Sequence, residues 1–295
     1  MTTTIIVPSS LDDKTFDELV AQLAACAADD PLVVDARNCT FATPFGIISL
    51  LALAESRTER PKFLCPDHAD TRAFWARNRF FRNADEVYEV QGTLPTARWS
   101  EGSPHMLEVT RISASENPEP MLTRIRDRAL EVFDYTLGAT EPLNTGLAEG
   151  VEALCQNVVE HSGHGGWVMM QMFNYRKSDR RVVLGAVCDA GVGLQYSPSD
   201  GLRRPMAEWM DDAAALEAVA VHGLSRARKI NDGQKLRTLR TNVFRLDGKL
   251  SVRSGSARIT FAPPWADEPA LQESLAAFPG VQISLTVPGK MGTPA

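Results

Sequence analysis

Hydrophobic and polar positions along this chain switch repeatedly between the two-residue period of strands and the 3.6-residue period of helices. Residues 4–7 form a short apolar run that reads as a strand. Leu11–Ala28 places Phe16, Leu19, Val20 and Leu23 on one side, with acids in its first turn and a proline after its end, which predicts a helix. Pro31–Cys39 reads as a buried strand, Ile47–Arg57 as an apolar helix and Lys62–Asp67 as a short strand. Thr71–Arg82 then reads as an aromatic helix, and Val87–Val90 closes the unit as a strand. Strands alternating with helices predict an α/β domain over residues 1–92.

From Gln91 to Pro104 the periodicity vanishes and glycine, proline and serine collect, so 93–104 is expected to be a linker. His105–Ile112 reads as a strand opening a second domain, and Met121–Gly138 as a helix stopped by glycine. A second helix begins near Glu141 and Pro142 and carries Leu147, Val151, Leu154, Cys155 and Val158 as one apolar stripe. It leaves through a glycine-rich exit, Gly163 to Gly166, suited to a left-handed stop. Trp167–Tyr175 and Arg181–Asp189 predict an antiparallel pair ending in an aspartate and two glycines. After an irregular loop, Met206–Gly223 is helical by composition, Leu246–Phe261 is a hairpin by alternation and turn residues, and 262–278 is a proline-rich insertion. Gly280–Pro288 is the closing strand, and 289–295 is expected to fray.

Two boxes in the second half carry chemistry. NVVEHSG, with Asn157 and His161 one helical turn apart, followed by CDAGVGL, resembles the asparagine box and first glycine box of the GHKL ATPases. The wording is closest to the anti-sigma-factor serine kinases. The resemblance covers 105–288 and implies a GHKL (Bergerat) α/β sandwich, in which helices cover a mixed sheet, with ATP and Mg²⁺ as ligands. It implies a nucleotide site of Asn157, His161, Asp189, Gly191, Gly193, Gly233 and Lys235. Asn157 would hold Mg²⁺ through the nucleotide phosphates, Asp189 would accept from the adenine amino group, and Gly191 and Gly193 would let the backbone pass close to the base. The family's lid and second glycine box fall on 224–244, where Gly233, Gln234, Lys235 and Leu236 align and a lysine replaces the second glycine. Arg226, Arg228, Lys229 and Lys235 are the candidate phosphate contacts there.

The first half resembles the STAS domain, the fold of anti-sigma-factor antagonists, through residues 33–53 (VVDARNCTFATPFGIISLLAL) and the later NRFF. That family's phosphoacceptor turn has a serine, whereas this chain has Thr43, Pro44, Phe45 and Gly46. The resemblance therefore implies a docking domain that is not phosphorylated at the usual turn.

Phosphoryl transfer in the GHKL group relies on a glutamate four residues before the asparagine, and that position is Ala153. Glu149 and Glu152 are the nearest alternative catalytic carboxylates, although neither shares the angular position of Asn157 on a helix. The sequence reading is an ATP-binding regulatory protein acting through protein contacts, with nucleotide-gated STAS-like and GHKL-like domains and weak or no hydrolysis. The alternatives are a serine/threonine kinase of the anti-sigma-factor type and a scaffold that binds no nucleotide. The expected partner is a protein, with a sigma-factor regulator or a STAS or kinase protein as candidates, and a homodimer is compatible with the reading.

Composition narrows the field little further. The net charge of −6 over 295 residues gives no electrostatic reason to expect nucleic acid or an anionic membrane. No apolar run reaches ~18 residues and the N-terminus has no signal-like core, so the protein is expected to be cytoplasmic. The five cysteines form no CxxC pair and read as reduced thiols. His161 and His164 lack the further ligands a zinc site needs.

Overall fold

In the computed structural model, residues 2–24, 26–92, 94, 103–113, 117–175, 180–194, 196–197, 204–205, 211–222 and 232–289 are described. The chain is α/β, with parallel and antiparallel pairing segregated into different sheets. The first half runs β1 (Thr3–Ile6), β2 (Ser10–Leu11), α1 (Thr15–Leu23), β3 (Leu32–Asp35), β4 (Phe41–Ala42), α2 (Pro44–Glu55), β5 (Lys62–Leu64), α3 (Ala69–Arg77), α4 (Phe80–Val87) and β6 (Glu89–Gln91). Strands β1, β3, β5 and β6 form a parallel sheet in that order, and β2 pairs with β4.

Two helices differ from the sequence expectation. The stretch expected to be one helix over Leu11–Ala28 gives its first residue to β2 and is helical only over Thr15–Leu23. The aromatic helix is broken in two at Asn78 and Arg79, where Arg79 adopts the left-handed φ of 62° that ends α3 and starts α4. That break lets the buried ring of Phe80 lie 4.8 Å from Trp75 and 5.4 Å from Phe63.

The second half runs β7 (Met106–Ile112), α5 (Glu119–Leu137), α6 (Glu141–His161), β8 (Gly166–Tyr175), β9 (Arg180–Cys188), β10 (Tyr196–Ser197), β11 (Arg204–Pro205), α7 (Asp212–Ala220), α8 (Asp232–Phe244), β12 (Lys249–Gly255), β13 (Ala257–Phe261), a 3-10 turn at Pro264–Ala266, β14 (Leu271–Gln272) and β15 (Phe278–Pro288). The seven long and edge strands pair in the order β14-β13-β12-β15-β9-β8-β7. The expected mixed sheet is antiparallel at every one of these pairings. The cause is topological: two successive helices, α5 and α6, between β7 and β8 return the chain so that β8 runs against its neighbour, and β15 inserts between β9 and β12 against both. Most of 93–104 lies outside the described residues, as do 206–210 and 223 at the ends of the helix expected over Met206–Gly223.

One face of the seven-stranded sheet carries Val168, Met170, Val183, Val187, Leu250, Val252, Ile283 and Leu285, which form a core with α5, α6 and α8. The other face is covered by the first half of the chain. Helix α2 is the reason: residues 44–54 are all buried, so no side of it faces water. It lies between the parallel sheet and strands β8, β9 and β15, and one continuous hydrophobic core joins Ile5, Val34 and Ile48 to Trp167, Met169, Ala186 and Phe278. Phe16 bridges the halves edge-on, 5.7 Å from Phe45 and 5.2 Å from Phe278. Thr43 caps α2, its hydroxyl accepting from the Gly46 amide at 3.3 Å, with Pro44 and Phe45 buried behind it. The turn from Thr43 to Gly46 is therefore packed inside this chain's own fold.

Beside that apolar contact lies a polar one. The Asp13 carboxylate accepts from Lys249 Nζ and Ser284 Oγ, each at 2.9 Å, and Lys249 also pairs with Glu268 at 3.1 Å. Asp17 pairs with Arg253 at 3.1 Å and Arg258 at 2.7 Å. Among the described residues no helix is long and apolar enough to cross a membrane.

Candidate functional site

The apolar stripe of α6, Leu147, Val151, Leu154, Cys155 and Val158, is buried on the sheet as its spacing predicts. A second stripe, of small residues, receives α8. A β-carbon at Gly146 would lie 2.6 Å from Asn242 Nδ2, and one at Gly150 would lie 2.6 Å from Leu239 Cδ1 and 2.9 Å from its Cβ, so Gly150 above all permits this approach. Lys235 Nζ donates to Gln156 Oε1 at 3.1 Å. The partners descend along α8 as they ascend along α6, so the helices are antiparallel and the N-terminus of α8 comes beside the last turns of α6. Ala153 continues the small stripe and is 4% exposed. Asn157 lies only about 40° further around the helix. It is half-buried, and its side chain makes no hydrogen bond among the described residues.

Asp189 follows the last residue of β9 and is 4% exposed. Its amide donates to Val281 O at 3.0 Å, and its carbonyl accepts from Gln282 Nε2 at 2.9 Å, so its backbone is held on both sides. Its Oδ1 accepts from the Gly191 amide at 2.8 Å, and the Val281 backbone amide also stabilises the carboxylate form. Burial pushes this carboxyl up to about 7, against the pull of the Gly191 and Val281 backbone hydrogen bonds, and the Glu55 carboxylate adds to the upward shift. A buried carboxyl keeps acceptor capacity beyond its backbone partners for an amine or amide hydrogen.

The glycines after it are fixed by contact. A β-carbon at Gly191 would sit 2.1 Å from Ser162 O, where α6 ends, so this residue ties the turn after β9 to the asparagine helix. Gly193 has the left-handed φ of 72°, and the next amide, Leu194, donates to Ser254 Oγ at 2.9 Å. At Gly166 a β-carbon would meet both Val158 Cγ1, at 2.9 Å, and Asp189 Cβ, at 3.0 Å, so the residue after Asn157 and the Asp189 side chain pack around the same glycine.

Contacts thus tie the last turns of α6 to the turn after β9, through Gly191 and Gly166, and to the first turn of α8, through Lys235. They do not gather the candidate bases. Glu149 is exposed, and Glu152 turns toward Arg126, 3.9 Å away; 100° per residue carries both off the Asn157 face. Ala153, the position the resemblance assigns to the base, lies on the same side of the helix as Asn157 and is buried along the stripe that receives α8. His161 sits 3.8 Å from Glu160, and Lys235 is engaged by Gln156. Arg226, Arg228 and Lys229 lie outside the described residues. Burial raises the thiols of Cys39 and Cys65 to about 11 and that of Cys188 to about 12, so these are poor nucleophiles near neutrality.

Sequence reading missed the residues that hold the site from behind: Gln282, which is fully buried and also donates to Pro279 O at 2.8 Å, Ser254, and Glu55 at the end of α2. Glu55 accepts from Trp167 Nε1 and pairs with Arg111, both at 2.8 Å. The available signal was the polar phase of the closing strand: Gln282 and Ser284 alternate with Val281, Ile283 and Leu285, yet both phases are buried.

No protein-family model matches this chain, and no curated protein is significantly similar to it.

Proposed function

We propose that this chain is an ATP-binding regulatory protein of the cytoplasm, with a STAS-like unit packed on a GHKL-like one, that acts through contacts with other signalling proteins and turns ATP over slowly or not at all. The observation that carries the reading is Asp189: a buried carboxyl at a strand end, backbone fixed on both sides, whose oxygens have acceptor capacity beyond their backbone partners for a donor such as the adenine amino group. Asn157 adds a half-buried amide oxygen suited to Mg²⁺ held by nucleotide phosphates. The N-terminus of α8 beside it offers backbone amides of the polarity that favours phosphate. Bound Mg²⁺–ATP would supply the charge that these amides balance. The chain's own residues orient the nucleotide; Ala153 carries no carboxylate, and Glu149 and Glu152 lie about 80° and 140° around the helix from Asn157, so neither is positioned as a base. This disfavours the kinase alternative, since a positioned base contributes typically ~10²–10⁴ in rate.

Calorimetry with ATP, with and without Mg²⁺, tests the reading. Wild type is expected to bind saturably, and Asn157→Ala to lose affinity about tenfold when Mg²⁺ is present but little when it is chelated. Phosphate release should stay near background. Absence of saturable binding at millimolar ATP would favour the scaffold alternative, and efficient turnover would favour the kinase.

A further inference from the structure

Several of the polar contacts made by the first half of the chain fall on one transverse row of the antiparallel sheet, beside those of Asp13 with Lys249 and Ser284. Across the strand register, Arg258, Arg253, Gln282, Cys188, Trp167 and Arg111 stand side by side on β13, β12, β15, β9, β8 and β7. Five of the six reach the first half. Arg258 and Arg253 grip Asp17 of α1, Cys188 Sγ lies 3.5 Å from Ser49 Oγ of α2, and Trp167 and Arg111 grip Glu55 at the end of α2. The sixth, Gln282, is the junction. Its Oε1 accepts from Arg253 at 3.4 Å and its Nε2 holds the Asp189 carbonyl at 2.9 Å. Every member except Arg111 is essentially buried, so the row has little freedom to adjust one contact without the next.

We propose that the N-terminal unit regulates the nucleotide site in cis: Asp17 and Glu55 are positioning residues that hold this row, and through Gln282 they hold the Asp189 turn in its binding geometry. The inference rests on the nucleotide reading above and adds the source of its regulation. The coupling is reciprocal, so a nucleotide on Asp189 tightens α1 and α2 on the sheet by the factor with which they tighten the nucleotide. The charges around Asp189 support the assignment. Glu55 faces it from α2, with Arg111 from β7 and His164 from the exit of α6 around Glu55, and Arg253 from β12 acting through Gln282.

The test uses the full chain as wild type, Asp17→Asn and Glu55→Gln, with ATP–Mg²⁺ calorimetry at pH 6 and pH 8 and hydrogen exchange of the α1 amides with and without nucleotide. Asp17→Asn is expected to weaken ATP about three- to tenfold and to abolish nucleotide-dependent protection of α1. Glu55→Gln removes a negative charge near Asp189 and so favours its ionised, accepting form. Its affinity at pH 6 relative to pH 8 should rise about two- to threefold over wild type, and Glu55→Asp should restore the wild-type ratio. A merely structural role would change stability without moving that ratio. If Asp17→Asn does not fold, Glu55→Gln and the wild-type exchange measurement decide. Binding by wild type with no protection of α1, or with the pH ratio unmoved by Glu55→Gln, overturns the inference alone. No binding by wild type overturns the nucleotide reading and the inference with it.

Discussion

Asp189→Asn is expected to weaken ATP and ADP binding roughly ten- to hundredfold and, in the same protein, to raise the stability of the nucleotide-free fold at pH 8. The two effects share one cause. The carboxyl is buried, and burial pushes it up to about 7, well above the usual aspartate range. A folded-state pKa above the unfolded one contributes stability that is fully present below pH ~4 and is lost as pH rises through about 7. Above that, the ionised group costs on the order of 4 kcal/mol, at ~1.4 kcal/mol per pH unit of displacement. Asparagine keeps the shape and an oxygen for the Gly191 amide but carries no charge, so the cost disappears. It turns an NH₂ toward any donor the carboxylate would accept, and loss of a charged hydrogen bond costs ~1.5–3 kcal/mol. Melting curves of wild type and variant at pH 5 and 8, alongside nucleotide titrations, check both signs. A variant that melts lower at pH 8, or binds as tightly as wild type, contradicts the account.

Lys249→Met is expected to destabilise the fold by about 3–5 kcal/mol, the usual consequence of leaving a buried charge without its partner. Lys249 is 8% exposed and Asp13 9%, and the methionine would leave the Asp13 carboxylate with Ser284 alone. Burial pushes the Asp13 carboxyl up, but the Lys249 charge and the hydrogen bonds from Lys249 and Ser284 outweigh it and hold the group below the usual carboxylate range. With a depressed folded pKa, the stabilisation is present above pH ~4 and is lost as pH falls further. Asp13→Leu combined with Lys249→Met removes both charges and should recover most of the loss, because apolar replacement of a whole buried pair is often neutral or better. Chemical denaturation of the two variants at pH 7 separates them. Equal destabilisation would mean that the pair itself, and not the orphaned carboxylate, carries the energy.

Much of this architecture is legible in the sequence, and the illegible part has a single physical origin. The α6 stripe, the glycine exit, the β8–β9 pair and the β12–β13 hairpin follow from periodicity and turn residues, because those signals are local. The buried polar face of β12 does not. Lys249, Ser251 and Arg253 alternate with Leu250 and Val252, which ordinarily means a solvated side opposite a core side. Here both sides are covered, and the polar side is satisfied by Asp13 and Asp17 from more than two hundred residues earlier in the chain. Helix α2 held the counter-signal, since eleven consecutive buried residues need cover on every side and the parallel sheet supplies only one. At the site, Asn157 and Asp189 are readable as residue types. The orientation of Ala153 is not, because it depends on the approach of α8 along Gly146 and Gly150.

The all-round apolarity of α2 also bears on how the chain is made. The helix leaves the ribosome early, whereas β15, the last of the strands it packs against, follows about two hundred residues later. Until that strand is synthesised, a face of Ile, Leu and Phe side chains has its parallel sheet on one side and nothing native on the other. Such long-range closure slows folding and leaves sticky surface exposed meanwhile. Nascent chains stalled before Phe278 should therefore engage chaperones or aggregate, and chains released after Pro288 should not.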